Sequence, residues 1–151
     1  MEAAQPSCRI VPVQAVLLAV GEAELDRSQI AGHIRSMFPY AWLKTATVKQ
    51  VGHNYAIYER GTRKDLLVRA GFPVSGTFAE TQAVKCFTLA AGQAVHAMHV
   101  GPYSDLHRTY ACLDAWCKEQ GLLLGSQSWE LYGDWHDDPS KLETGIYYRI
   151  K

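Results

Sequence analysis

Apolar positions along this chain recur with two alternating periods. From Arg9 to Ala19 the residues are apolar and partly β-branched, interrupted by Pro12, which predicts a first strand. From Glu24 to Phe38 the apolar residues Ile30, Ile34, Met37 and Phe38 fall on one helical stripe. Asp26 or Ser28 can cap the start of this helix and Pro39 ends it. Phe38-Pro39-Tyr40-Ala41-Trp42 forms an aromatic connector. Gly52 to Glu59 and Lys64 to Ala70 then read as two strands joined around Gly61. After the break at Gly71-Phe72-Pro73-Val74-Ser75-Gly76 the order starts again. Val84 to Val100 supplies strand material with a bend at Gly92. Ser104 or Asp105 can cap a helix from Leu106 to Gln120, whose stripe is Leu106, Tyr110, Leu113 and Cys117, with Trp116 at one edge. Gly121 suits the helix end, and strands follow at Ser128 to Trp135 and Glu143 to Ile150, around the turn His136-Asp137-Asp138-Pro139-Ser140.

The two halves also echo each other in sequence. Gln14-Ala15-Val16 with Val20-Gly21 recurs as Gln93-Ala94-Val95 with Val100-Gly101, at offsets of 79 and 80 residues. Tyr55-Ala56-Ile57-Tyr58 recurs as Trp129-Glu130-Leu131-Tyr132, at an offset of 74. A repeat of this size has too little core to stand alone, so the halves are expected to share one sheet. The expected fold is therefore α+β. Duplicated strand-helix-strand-strand units, about 9–74 and 82–151, build one domain spanning 1–151. They form one antiparallel sheet with two helices on one face and a ligand groove on the other.

Strand parity assigns side chains to those faces. Ile146, Tyr148 and Ile150 alternate as an apolar row that should cover the helices, leaving Tyr147 and Arg149 facing away. Glu130 and Tyr132 share a face, as do Ala56 and Tyr58 at the equivalent positions. The helix-free face is thus expected to carry Tyr58, Glu130, Tyr132 and Tyr147, an aromatic trough with one acid. Tyr40 and Trp42 are candidates for a wall of the groove.

Composition narrows the function classes. Fifteen Lys and Arg balance fifteen Asp and Glu, and no basic run is present, which argues against direct nucleic-acid binding. No apolar stretch approaches a membrane span, and Met1-Glu2-Ala3-Ala4-Gln5-Pro6 lacks the order of a signal peptide. Cys8, Cys86, Cys112 and Cys117 show no metal-type spacing and read as reduced thiols of a cytoplasmic protein. Cys112 and Cys117 diverge by roughly 140° on a helix. His96 and His99, three apart on a strand, point to opposite faces and cannot share an ion. His136 with Asp137 and Asp138 is explained as turn composition. Gly101-Pro102-Tyr103 reads as a strand-to-helix turn, because Pro102 removes a donor that a phosphate cradle needs. No phosphate-binding loop and no nucleophile elbow occurs. No metal and no cofactor is expected.

One stretch connects these features to a known family. His99-Val100-Gly101-Pro102-Tyr103, then Leu106, Tyr110, Leu113 and Trp116, then Trp129-Glu130-Leu131-Tyr132, Asp138-Pro139 and Thr144-Gly145-Ile146-Tyr147 resemble the GyrI-like small-molecule-binding family. Its fold is that of BmrR-type effector-binding domains. The first half matches weakly, through Tyr58 and the 71–74 segment. The resemblance implies a groove between the copies that takes flat, hydrophobic, often cationic ligands, with Glu130 as its central acid. It implies a stand-alone member, without the DNA-binding module of the activators.

Three functions are then weighed. In the first, the groove binds a hydrophobic, planar, possibly cationic drug or natural product, with Glu130 as anchor and Tyr132, Tyr58, Tyr147, Tyr40 and Trp42 around it. In the second, the resemblance implies a metal-independent hydrolase of strained cyclopropane-type toxins, with Glu130 and Tyr132 catalytic. In the third, it implies a regulator that inhibits DNA gyrase, which no exposed tract in the sequence calls for. Monomer and dimer both remain open.

Overall fold

The computed structural model describes residues 6–61 and 65–151. Lys64 of the expected strand, and Met1 to Gln5 of the segment read as lacking a signal, lie outside the described residues. Eight strands form one antiparallel sheet: β1 (Cys8–Val13), β2 (Val16–Leu25), β3 (Tyr55–Arg60), β4 (Leu66–Pro73), β5 (Lys85–Leu89), β6 (Gly92–Val100), β7 (Leu124–Tyr132) and β8 (Glu143–Ile150). The helices are α1 (Arg27–Met37), the single turn α2 (Tyr40–Leu43) and α3 (Leu106–Gln120). The expected first strand is thus two strands, β2 runs on to Leu25, and α1 begins only after it. The stretch expected from Val84 to Val100 likewise divides into β5 and β6 next to Gly92.

Asp26 starts α1 with a capping box: its carboxylate accepts from Ser28 N–H at 3.4 Å and its own N–H donates to Gln29 at 3.0 Å. Gly121 ends α3 at φ +65°, where a Cβ would be strained.

The strand order is β1-β6-β8-β7-β3-β4-β2-β5. Its two halves are related by an approximate twofold between β7 and β3. The edge strands are exchanged, β1 pairing with β6 of the second repeat and β5 with β2 of the first. Gln14 and Ala15 join β1 to β2, and Ala90 and Ala91 join β5 to β6. Each link spans three Cα steps, about 11 Å, whereas six strand spacings in a flat sheet are about 29 Å. The sheet must therefore curl until its ends approach.

Curling makes the helix-free face an interior. Leu18, Val20, Tyr55, Ile57, Leu89, Ala94 and Trp129 pack there as one cluster. Trp129 is 2% exposed, and truncating such a ring in a packed interior costs roughly 3–5 kcal/mol. A polar chain crosses the same face. Glu22 accepts from Arg69 at 3.1 Å, Arg69 meets Glu59 at 3.6 Å, and Gln127 donates to Glu59 at 3.2 Å. Arg149 donates to Gln127 at 3.0 Å and to the Ala90 carbonyl at 2.8 Å, tying β8 to the β5–β6 link.

Both helices lie on the opposite face, as expected. The stripe of α1 covers Leu25, Val68 and Ala70, and that of α3 covers Val95, Ala97 and Ile146. They sit over the two flanks of the sheet and leave the central strands β3 and β7 uncovered between them. The groove therefore lies on the helix face, not on the helix-free face. The physical reason is register. Tyr147 pairs with Trp129 and Ile146 with Glu130, so Glu130 shares the face of Ile146 and Tyr148.

Gly21 sets how closely α1 approaches the sheet. A Cβ there would meet the Met37 carbonyl oxygen at 2.2 Å, whereas one at Gly32 would meet nothing within 4 Å. Gly21→Ala is expected to destabilise the protein by about 2 kcal/mol. Gly32→Ala, in mid-helix, is expected to stabilise it by about 0.5–1 kcal/mol. Urea midpoints of the two variants moving the same way would contradict this packing.

Candidate functional site

The site is built on the central strand pair. Ala56 faces Glu130 and Tyr58 faces Ser128 across β3–β7. Ala56 and Glu130 are also equivalent positions of the repeat, as are Tyr58 and Tyr132. The approximate twofold therefore passes beside the acid, and the two tyrosines flank it. Only the second repeat carries a carboxylate at this position. Cross-strand partners have Cβ atoms about 5 Å apart, and two buried acids there would repel. Ala56, fully buried, fills the second position.

Glu130 is 6% exposed. An ionised carboxylate so placed needs hydrogen-bond donors. Tyr132 supplies one at 2.6 Å and Tyr58 another at 3.5 Å, both to Oε1, while Tyr110 of α3 donates to Oε2. Of roughly four acceptor positions on a carboxylate, three are filled. Burial raises the pKa of all three phenols well above the ordinary tyrosine value, and the Glu130 charge raises it further. They remain neutral donors at any physiological pH.

Around this floor lies a cleft of about 1380 Å³. Ile30, Ile34 and Phe38 of α1 form one wall, and Leu106 and Tyr110 of α3 form the other. One end holds Asn54, Tyr103 and Trp135, and the other Arg60, Leu124 and Tyr148. Trp135 is 70% exposed there. Tyr103 meets Tyr132 edge-on at 5.7 Å. The turn carrying Tyr103 is clamped by buried His99, whose Nε2 donates to the Pro102 carbonyl at 2.9 Å and whose Nδ1 accepts from Thr109 at 2.7 Å.

Glu130, Tyr132 and Tyr58 are thus brought together. Tyr147 is not. It lies on the inner face, stacked between Trp129 at 5.4 Å and His96 at 4.3 Å. Trp42 packs in the core against Phe78 at 4.6 Å. Tyr40 stacks on Phe72 at 5.5 Å and accepts from Asn54, so it supports a cleft residue without lining the cleft. Sequence reasoning missed Tyr110, read only as part of a buried stripe, and Tyr148, whose hydroxyl donates to Asp114 at 2.6 Å inside the cleft. A hydroxyl within an otherwise apolar stripe was the available signal, because a buried phenol needs a partner. Among the described residues no group of three His, Cys, Asp or Glu is placed to hold a metal, and no helix is long and apolar enough to cross a membrane.

Known structures share this architecture. The C-terminal domain of EcmrR superposes with a TM-score of 0.81 at 18% identity, over 97% of this chain and 98% of that one. SAV2435 bound to tetraphenylphosphonium gives 0.76 at 13%, over 96% and 94%. A hydrolase encoded by lin2189 from Listeria innocua gives 0.63 at 15%, over 97% and 93%. At these identities the likeness is one of fold. No curated protein matches the chain. The model of the GyrI-like small molecule binding domain matches residues 6–151. With nearly its whole length covered, the chain belongs to the GyrI-like small-molecule-binding family.

Proposed function

We propose that the cleft binds a flat, hydrophobic, cationic small molecule and that Glu130 is its polar anchor. One observation carries this reading: a carboxylate buried at the floor of an aromatic cleft, held by three neutral phenols, with one acceptor position unfilled. Apolar contact supplies most of the affinity, at about 25 cal/mol per Å² buried. The carboxylate and the aromatic faces select positive charge, each ring adding about 0.5–2 kcal/mol. Tetraphenylphosphonium, held by SAV2435, a protein of the same fold, supports the hydrophobic and cationic parts of this reading; its phosphorus is tetrahedral, and the flat shape is part of the proposal alone. The free thiols Cys8, Cys86, Cys112 and Cys117 suit a reducing compartment such as the cytoplasm.

A second reading uses the same atoms. In it, Glu130 takes a proton from a water on its open position. The water oxygen bonds to the strained carbon, and the ring C–C bond breaks with its electron pair passing into the conjugated carbonyl of the substrate. That anion is then protonated, so that one water is added in all. General-base assistance of this kind contributes about 10²–10⁴-fold. The hydrolase among the structures of this fold favours keeping it.

Three outcomes are expected. By calorimetry, Glu130→Gln weakens tetraphenylphosphonium about tenfold or more, near 1.4 kcal/mol, and spares neutral triphenylphosphine oxide. Equal losses for both would remove the charge-anchor role. For the second reading, a cyclopropane-containing alkylator is converted by the wild type to a product one water heavier. Mass spectrometry should find no such conversion by Glu130→Gln. The third concerns pH. Because the neutral phenols are favoured in the fold, their stabilising contribution is complete below about pH 10, where unfolded tyrosines titrate, and is lost above it. The urea midpoint should fall above pH 10 and fall less steeply in Tyr110→Phe. Parallel profiles would show that the phenol cluster is not the cause.

A further inference from the structure

Arginines also line the cleft: Arg35, in the last turn of α1, stands toward Phe38, and Arg27 and Arg60 lie at the end away from Trp135. Arg60 follows Tyr58 by two residues on β3 and so shares its face, and Arg27 is the first residue of α1. Both line the cleft. Among the described residues, neither has a carboxylate within 4.0 Å. Arg60 makes one long contact, to the Gly125 carbonyl at 3.5 Å. Asp114, the acid across the cleft, is engaged by Tyr148 at 2.6 Å.

Helix stability does not explain Arg27. A cation at the first position of a helix opposes the helix dipole, and the neighbouring acid, Asp26, is used as the cap that satisfies the helix N–H groups. A residue that breaks a local rule without a local gain is a candidate for function. The distance also suits a ligand. Arg60 lies opposite the 125–127 stretch of β7, so its guanidinium stands about four strand residues, roughly 13 Å, from Glu130 along the cleft.

We infer that Arg27 and Arg60 form an anion subsite, and that the ligand is a flat aromatic zwitterion with its cationic group on Glu130 and an acidic group on the two guanidiniums. This rests on the proposed cleft ligand and narrows it from lipophilic cations to amphoteric aromatics. Guanidinium planes match a carboxylate or a sulfonate in paired hydrogen bonds. The apolar walls between, Ile30 and Ile34 against Leu106, require a flat hydrocarbon body.

A rigid matched pair tests it. 4′-(Aminomethyl)biphenyl-4-carboxylate carries charges at its two ends, and its methyl ester keeps only the amine. Calorimetry on the wild type is expected to show the acid binding about fivefold more tightly than the ester, the advantage expected of partly exposed ion pairs. In Arg27→Gln/Arg60→Gln, both substitutions being of exposed side chains, the acid should lose that advantage while the ester is unaffected. Glu130→Gln should weaken both compounds. An ester that binds as tightly as the acid to the wild type, or an acid unaffected by the double substitution, overturns the anion subsite and leaves the proposed cleft ligand standing. Binding of neither compound overturns both.

Discussion

Everything in this fold depends on the pairing of β3 with β7. These strands carry the equivalent segments of the two repeats, and they meet so that Ala56 lies opposite Glu130. That register puts one acid beside the symmetry axis and one tyrosine on either side of it. A shift of β7 by one residue would turn Glu130 and Tyr132 toward the packed interior and part them from Tyr58 on β3. The alanine matters beside the glutamate, because a matching acid would face it directly across the strand pair. Duplication supplies the flanking phenols, and one departure from it, Glu130 where the first repeat has Ala56, supplies the charge.

The sheet's two faces divide the work of stability and recognition. The links at Gln14-Ala15 and Ala90-Ala91 curl the sheet until its inner face closes on Trp129, Ile57, Leu18 and Leu89. That leaves the outer face free to remain partly uncovered. The helices sit over the flanks because each repeat delivers its own helix onto its own strands. The centre between them stays hollow. The floor of the cleft is nearly closed, Glu130 being 6% exposed, and Tyr58, Tyr110 and Tyr132 supply the hydrogen bonds to its carboxylate.

The elements, their order and the duplication were legible in the sequence, because helical stripes such as Ile30, Ile34 and Met37 depend only on local spacing. Glu130, Tyr58 and Tyr132 could be grouped for the same reason: parity within a strand and equivalence between repeats are local properties. The face they occupy was not legible. It depends on how β7 and β8 align, and the ladder is irregular between Leu124 and Ser128, which no single-strand pattern records. Tyr147 faces away from the helices, as its own strand pattern indicates; it was Glu130, Tyr132 and Tyr58 that the alignment moved to the opposite face, which parts Tyr147 from them. Tyr110 was missed because its partner is twenty residues away on another element, and Trp42 was overvalued because an exposed-looking connector folds back onto Phe78.

The exchange of edge strands has a further consequence. Cys8 pairs with Ala97 and Val16 with Leu89, so each repeat is completed only by chain from the other or from the segment between them. Neither half can form its full ladder first. The contacts that join them span most of the chain, a topology of high contact order, for which loop-closure entropy is lost before pairing compensates it. Such a chain folds slowly and as a single cooperative unit. Its cleft, made by both halves, comes into being only at the last step.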